Sequence, residues 1–332
     1  MIQREDLRVL FVSNMYPSEA HPQSGIFVAR QAESLVRAGV DVIVEPIAGS
    51  RGERDYFASR RRIRRQVREH RPHVIHAHYG YTQIAVAGMG VGFVVTLYGD
   101  DVNGESRGDG QITLKSRLGI LATQACGLMA RRILLQSEAM RGRMWPLLQS
   151  RCVVLGSGVD DTLFAPGSMK EARTRLGIDP GQLVLGFVNS GGQKTKRFDL
   201  AEATRDELAR RGENAHLLVA ERVAASEMPW FYRAADVLLM TSDFEGSPNC
   251  VKEALSCGLP IVAVPVGDVP QIVTRPDQGR IVPREPPSLA SAVQEIIASR
   301  PAARVSLLPE SLRASSVANR LIDIYTTACQ PE

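Results

Sequence analysis

The sequence predicts an α/β protein built from two doubly wound parallel-sheet domains, and three observations carry that prediction. Short β-branched runs alternate with helical patterns along the whole chain, the signature of parallel strands joined by crossover helices. The rhythm lapses once, around residues 156–170, and then restarts. At 332 residues the chain has the length of two ordinary domains.

In the first half, strands are expected at 8–14, 41–46, 73–78, 93–99, 131–136 and 151–155, with helices at 24–38 and 113–130. In the second half, strands are expected at 183–189, 215–220, 236–241, 259–264 and 280–283. Near-continuous apolar runs such as 183–188 and 260–264 fit strands covered on both faces. The lapse holds Gly156, Gly158, Pro166 and Gly167 without a helical period. The division is therefore a first domain over 1–157, a linker over 158–168, a second domain over 169–308, and a terminal helix in 309–332 that crosses back to the first. Ligand is expected at the carboxyl ends of the strands.

Bulk composition excludes several classes. Hydrophobic residues make up 44% and charged residues 23%, an ordinary globular balance. A formal net charge of +4 over this length does not suit a dedicated nucleic-acid binder. Lysine occurs only at Lys115, Lys170, Lys194, Lys196 and Lys252, so arginine carries nearly all the positive charge. Five cysteines without a Cys-x-x-Cys argue against a zinc ribbon or a disulfide framework and favour a reducing cytoplasm. Glu5 and Asp6 precede the first apolar run, unlike a secretory signal. The longest apolar stretch, 84–97, is interrupted by glycines and falls short of the ~20 residues that span a bilayer.

The most informative segment is 241–264, which reads strand, loop, helix, strand. Ser247 and Pro248 are expected as N-cap and first helical residue, with Gly258 as a left-handed C-terminal cap. The amides of Asn249, Cys250 and Val251 would then be orphan donors at the positive end of a helix, an anion site suited to a diphosphate. Glu245 and Glu253 flank this tip, and each carboxylate can accept two hydroxyl hydrogen bonds. A hydroxyl pair on either side of a diphosphate describes a nucleotide sugar. The same two glutamates also fit a solvated loop and a surface helix position.

These residues resemble the retaining GT-B glycosyltransferases of family 4, or glycosyl transferases group 1. That family carries two glutamates separated by seven residues within a Glu-Gly-x-Pro…Glu-Ala…Gly-x-Pro pattern. Here Glu245-Gly246-Ser247-Pro248, Glu253-Ala254 and Gly258-Leu259-Pro260-Ile261-Val262 match it. The resemblance implies two Rossmann-like domains facing a cleft, with Glu245 on a donor-sugar hydroxyl and Glu253 on the ribose. It also implies a lysine before the helix that follows the first strand of the second domain, reaching the diphosphate. Lys196 matches that lysine, with Arg197 beside it, while Ser190 stands where the family often has an arginine. A cation there would stabilise the departing diphosphate. A basic, glycine-rich surface loop is the plainer reading. Gln271 stands where a glutamate often follows the family's glycine turn.

In the first half, Gly25 opens a helix after a strand and a Pro-containing loop. It would allow close backbone approach by the donor, or simply start the helix. No Gly-x-Gly-x-x-Gly follows this strand, which disfavours a nicotinamide site. His76 and His78 share one strand face, and His78 is read as an acceptor-side wall residue, with core packing or metal ligation as alternatives. Tyr98-Gly99-Asp100-Asp101 resembles the family's His-Gly-x-Asp element, with Tyr98 in place of the histidine. The resemblance puts Tyr98 among the catalytic residues with Glu245 and Lys196, and Asp101 on the acceptor side. A phenol donates a hydrogen bond but is a poor base near neutrality.

The basic run from Arg60 to Arg71 sits on a helix and reads as a solvated face or as a contact to anionic lipid. It has few apolar residues of its own. The expected activity is metal-independent hexosyl transfer, UDP being the commonest donor nucleotide in the family and GDP or dTDP the others, with no cofactor. Acceptors range over glycans, lipids and natural products. The compact, arginine-rich chain resembles transferases of actinobacterial oligosaccharide-antibiotic pathways such as avilamycin biosynthesis. A cytoplasmic location follows, with peripheral contact at the inner membrane face. The rivals are a GT-B sugar-nucleotide epimerase and a non-catalytic nucleotide-sugar sensor.

Overall fold

The structure is a computed structural model that describes residues 4–19, 21, 24–47, 56–104, 112–189, 194–299, 301 and 303–329. The chain forms two compact units, Met1–Gly158 together with Ala314–Glu332, and Val159–Arg313.

Unit 1 runs β1 (Arg8–Ser13), α1 (Ile26–Arg37), β2 (Asp41–Pro46), α2 (Tyr56–His70), β3 (Val74–His78), α3 (Thr82–Val86), β4 (Phe93–Leu97), α4 (Gly99–Asn103), α5 (Leu114–Gly127), β5 (Arg132–Leu135), α6 (Glu138–Arg141) and β6 (Cys152–Val154). Its six strands pair in the order β2-β1-β3-β4-β5-β6, all parallel. Strand alternation distributes the core to two layers. Leu10, Val12, Ile75, Ala77, Val95 and Ile133 face Ile63 of α2 and Val86 of α3. Val9, Phe11, Val74, Val94 and Leu134 face the opposite layer, with Val28 and Leu35 of α1.

Unit 2 runs α7 (Met169–Leu176), β7 (Leu183–Val188), α8 (Phe198–Arg210), β8 (Ala215–Ala220), α9 (Met228–Ala234), β9 (Val237–Met240), α10 (Asn249–Ser256), β10 (Ile261–Ala263), α11 (Val269–Ile272), β11 (Gly279–Ile281) and α12 (Pro286–Ala298). The strand order is β11-β10-β9-β7-β8, again parallel throughout. The apolar runs of β7 and β10 lie in one contiguous core, as two-sided burial requires. Ser168 caps α7 through the amide of Glu171 at 3.2 Å. Arg173 of that helix is buried against Asp236 at 2.7 Å and tethers α7 to the start of β9. Within residues 158–168, expected as linker, two side chains are packed. Val159 and Phe164 are buried in this core, Phe164 against Tyr232, because a branched and an aromatic side chain give the segment apolar surface to bury.

The last helix, α13 (Ala314–Ala328), belongs to unit 1, where Val317, Leu321 and Tyr325 join the layer of α1. Its polar anchor is internal. Tyr325 Oη lies 2.6 Å from His76 Nδ1, and Thr96 Oγ1 lies 2.7 Å from His76 Nε2. With both ring nitrogens engaged, His76 is a structural core residue rather than a metal ligand.

Burial pulls the His76 pKa down to about 3 and holds that of its neighbour His78 well below the usual value as well. The unfolded chain takes up a proton near pH 6.5, whereas folded His76 resists it until about pH 3. Stability from this residue is therefore complete above pH 6.5 and drains as pH falls toward 3. Denaturant unfolding is expected to show a loss of about 2 kcal/mol between pH 7 and pH 5 from His76. Stability unchanged over that range would contradict the buried neutral assignment.

Candidate functional site

In unit 2, β7 leads to β8 on one side and β9 begins on the other, so the chain reverses direction across the sheet between β7 and β9. The carboxyl ends of these two strands thus border a switch point, where an open α/β sheet usually places its ligand crevice. Lys196 follows β7, and Glu245 follows β9. They meet there, with Lys196 Nζ 2.5 Å from Glu245 Oε1. Burial alone would lower the Lys196 pKa, but the Glu245 carboxylate, the nearby Cys250 and the Glu245 hydrogen bond together raise it, so the side chain stays an ammonium.

The two loops are stitched together. Thr241 Oγ1 donates to the carbonyls of Lys196 and Arg197 at 2.9 and 3.0 Å, and the Asp243 amide donates to Thr195 O at 2.8 Å. Arg197 caps α8 in a left-handed conformation (φ 56°) and is held in a fork by Asp199 and by Asp243 at 3.3 Å. Arg284 also pairs with Asp243. Arg197 is thus committed to carboxylates of its own unit.

The helix after β9 begins one residue later than expected. Pro248 is the cap (ψ 116°) and Asn249 the first residue of α10, because the extended ψ of Pro248 keeps it outside the helix. Ser247 does not cap it. Its hydroxyl donates to Asp268 and receives the ammonium of Lys252 at 3.2 Å. The Val251 amide closes on Pro248 O at 3.2 Å, so the donors the helix leaves over are those of Asn249 and Cys250. Gly258 ends the helix at φ +73°, with the Leu259 amide on Ala254 O. A third loop, after β10, supports Gly246: the Asp268 amide donates to its carbonyl at 3.1 Å, and a Cβ at Gly267 would sit 2.6 Å from that oxygen.

Glu253 lies one turn inside α10 and accepts a hydrogen bond from Tyr232 Oη at 2.8 Å. Cys250 sits among Lys196, Glu245 and Glu253, whose charges all act on it, and burial pushes its thiol up to about 12. Burial lowers the Lys252 pKa to about 8 against the opposing pull of Asp268 and Glu253. Unit 2 therefore brings together Lys196, Glu245, Gly246, Ser247, Pro248, Asn249, Cys250 and Glu253. Ser190 lies outside the described residues. Gln271 is exposed at the end of α11.

Tyr232, Lys252 and Asp268 were not legible as site residues. Tyr232 is remote in sequence and carries no pattern, whereas Lys252, one of five lysines and adjacent to Glu253, offered a signal in its rarity. A separate cavity of about 300 Å³ lies at the amino ends of β9 and β10, beside Asp236 and Pro260, on the wrong end of the strands for this chemistry.

Unit 1 has its own crevice, where β1 leads to β2 on one side and β3 starts on the other. Gly25 stands at the head of α1 with φ 65°. A Cβ there would lie 2.2 Å from Met15 O, so only glycine fits. Two residues on, Phe27 meets Tyr98 with ring centroids 4.9 Å apart, and Tyr79 meets Tyr98 at 4.5 Å. Tyr79 is held at φ 76°, a conformation disfavoured for an aromatic residue.

His78 is not an open wall. It is fully buried with Nδ1 3.1 Å from Tyr98 Oη, because it points into the layer of Phe11 and His76 rather than out of the strand end. Asp101 is engaged on both oxygens, accepting the amides of Tyr98 at 2.9 Å and Gly80 at 3.0 Å, so it positions Tyr98 and the β3–α3 turn. Burial, opposed by those two amides, raises its pKa to about 6. Burial and the neighbouring Tyr79 and Asp101 push the Tyr98 phenol well above its usual value, leaving it a hydrogen-bond donor and not a base.

Solved structures of GT-B enzymes match both units. The catalytic domain of starch synthase IV from Arabidopsis thaliana, bound to ADP and acarbose, superposes with a TM-score of 0.71 at 13% identity over 97% of this chain and 99% of that one. HepE from Anabaena in complex with UDP-glucose gives 0.60 at 15% identity over 98% and 97%. AviGT4, a glycosyltransferase involved in avilamycin A biosynthesis, gives 0.60 at 15% identity over 97% and 98%. The fold is GT-B.

The family models identify the lineage. Residues 3–163 match Glycosyltransferase Family 4, and residues 187–299 match glycosyl transferases group 1. The chain belongs to glycosyltransferase family 4. A D-inositol 3-phosphate glycosyltransferase of Mycolicibacterium gilvum is 30% identical over 46% of this chain, a match spanning only 40% of that protein. TuaC of Bacillus subtilis, named for teichuronic acid biosynthesis, is 23% identical over 86% of this chain and 88% of its own length.

Proposed function

We propose that the chain is a retaining glycosyltransferase that moves a hexosyl group from a nucleoside diphosphate sugar, UDP-linked, to a glycan, lipid-linked or natural-product acceptor, without a bound metal. The observation that carries this reading is the Lys196–Glu245 pair at the crevice between β7 and β9, beside the amides of Asn249 and Cys250 that open α10. An ammonium and a helix N-terminus attract a diphosphate, and Glu245 and Glu253 can each accept hydroxyls on either side of it. The family membership and the ligands of HepE and starch synthase IV support a nucleotide donor.

In this reading the bond from the anomeric carbon to the diphosphate oxygen breaks while the acceptor oxygen bonds to the same face. The acceptor proton passes to the departing phosphate. Lys196 and the amides of Asn249 and Cys250 stabilise the charge that develops there, an electrostatic contribution that needs no side-chain base. The buried Tyr98 phenol suits such a scheme, since it donates a hydrogen bond and holds its proton. Contact of the basic helix α2 with an anionic membrane surface belongs to the same proposal.

The deciding experiment mixes the protein with UDP-, GDP- and dTDP-sugars and follows thermal stabilisation and slow donor hydrolysis. Stabilisation by one nucleotide family with release of free sugar is the expected result. Stabilisation without turnover under any acceptor would instead indicate a sensor, and inversion at a sugar carbon without release an epimerase. Glu253→Gln is expected to raise the donor KM about tenfold with kcat little changed, since charge-assisted hydrogen bonds to the ribose become neutral ones. An unaltered KM would remove Glu253 from the ribose site.

A further inference from the structure

Lys252 stands in the first turn of α10 with its side chain wholly enclosed, at 0% exposure. Both features are unfavourable for a cation. A buried ammonium gives up its hydration, and a positive charge in the first turn opposes the helix dipole. An unbranched apolar side chain such as methionine would fill the same space without either penalty. The charge at this position therefore calls for a role of its own.

Its surroundings supply one. Lys252 Nζ donates to Ser247 Oγ at 3.2 Å, and the Ser247 hydroxyl in turn donates to the Asp268 carboxylate. The Asp268 amide donates to Gly246 O at 3.1 Å. Loop 245–248 is thus held to the turn after β10 twice, through the backbone at Gly246 and through a side-chain relay at Ser247. Space there is tight, since a Cβ at Gly267 would lie 2.6 Å from Gly246 O and 3.0 Å from Glu245 O.

The relay also balances charge. Burial raises the Asp268 pKa, the Ser247 hydroxyl and Lys252 hold it down, and Glu245 pushes it up. Asp268 Oδ1 is buried and has no hydrogen-bond partner among the described residues, so that carboxylate leans on the nearby cation. Two acids therefore flank Gly246 and Ser247, and each has a lysine: Lys196 for Glu245, Lys252 for Asp268. Without Lys252 the two like charges would stand across one short loop, with Lys196 left to offset both.

We propose that Lys252 is a positioning residue, whose ammonium ties Ser247 to Asp268 and so sets the loop that carries Glu245 and leads into the amides of Asn249 and Cys250. Enclosed as it is, Lys252 acts through Glu245 and the head of α10 rather than on the donor. The proposal rests on the donor reading of this loop and names the group that shapes it. The groups facing Lys252 are Ser247, Asp268 on the turn after β10, and Glu253 and Cys250 on α10 itself. Burial pushes the Cys250 thiol up to about 12 and holds the phenol of Tyr232, the α9 partner of Glu253, well above its usual value. Neither releases a proton near neutrality, whereas Lys252 does so at about 8. Above that pH the ammonium becomes an amine and its attraction to Asp268 is lost.

Two measurements on Lys252→Met test the proposal. In a ligand-free crystal structure of this variant, loop 245–248 is expected to move by about 1 Å, with Glu245 shifted on Lys196, a misplacement that can lower activity by up to about 10²-fold. With the nucleotide sugar that the wild type cleaves, the donor KM is expected to rise about tenfold in the variant. The wild-type KM is expected to climb as pH passes 8, and that of Lys252→Met to stay level. A lysine serving stability alone would lower the unfolding midpoint and leave both KM profiles parallel. Adding Asp268→Asn to Lys252→Met is expected to recover most of the loss, because the opposed charges then leave together, and it provides a folded protein should the single variant not fold. A loop in its wild-type place in Lys252→Met overturns the proposal, as does a double variant no better than the single one. Failure of the wild type to bind any nucleotide sugar would instead sink the donor reading, because the loop displacement is measured without ligand.

Discussion

Replacing Lys196 with alanine is expected to lower kcat for glycosyl transfer by about 10²–10³-fold, the usual effect of removing one preorganised donor from a developing anion. The side chain is 18% exposed and its Glu245 partner 13%, so the pair acts where water screens it little. Glu245 and its hydrogen bond hold the ammonium charged despite burial, which ensures that a full positive charge awaits the leaving diphosphate. Lys196→Arg keeps the charge but replaces a compact ammonium with a planar fork, so only partial activity is expected. Single-turnover measurement of donor cleavage, with a thermal unfolding control, checks both variants. A folded Lys196→Ala protein with wild-type cleavage would remove the lysine from the reaction.

Arg173→Ala is expected to destabilise unit 2 by about 3–5 kcal/mol, the cost of leaving a buried charge without its partner. Arg173 and Asp236 are 3% and 1% exposed. Arg173 also donates to Pro180 O at 2.6 Å and Ala234 O at 3.1 Å, while Asp236 accepts the Val184 amide at 2.8 Å. Removing the guanidinium strands the carboxylate and two carbonyls at once. Urea unfolding measures the loss, and a double variant, Arg173→Met with Asp236→Leu, is expected to recover part of it because both charges then leave together. A loss under about 1 kcal/mol would contradict the account of this pair.

Much of the fold was legible because its signals are local. The apolar runs of β1 and β7 mark buried strands, and Gly258 marks a helix end through a backbone conformation that other residues rarely adopt. The start of α10 lies one residue later than the sequence suggests, since Ser-Pro looks like a cap followed by a first helical residue and only ψ at Pro248 distinguishes the two. Periodicity located α5 without saying which face turns outward, because helical spacing reads the same for a buried and an exposed row of leucines. His78 looked like a wall residue from its place at a strand end, yet alternation alone could not show that Phe11 and Tyr98 enclose it.

The candidate site divides along the same line. Glu245, Gly246, Pro248 and Glu253 stand close together in sequence, and so does the glycine turn that braces them. Lys196 reaches Glu245 only through the parallel pairing of β7 with β9, and Tyr232 reaches Glu253 from a separate helix. Contacts of that kind arise from topology and leave no trace in spacing. Asp101 shows the converse, a motif residue whose oxygens both serve the local turn.

The most direct test of the central claim is a crystal structure of the protein soaked with UDP. The account predicts diphosphate density at the amides of Asn249 and Cys250 within reach of Lys196 Nζ, with the ribose hydroxyls on Glu253. Density for the diphosphate at another strand end, or a ribose turned away from Glu253, would contradict it.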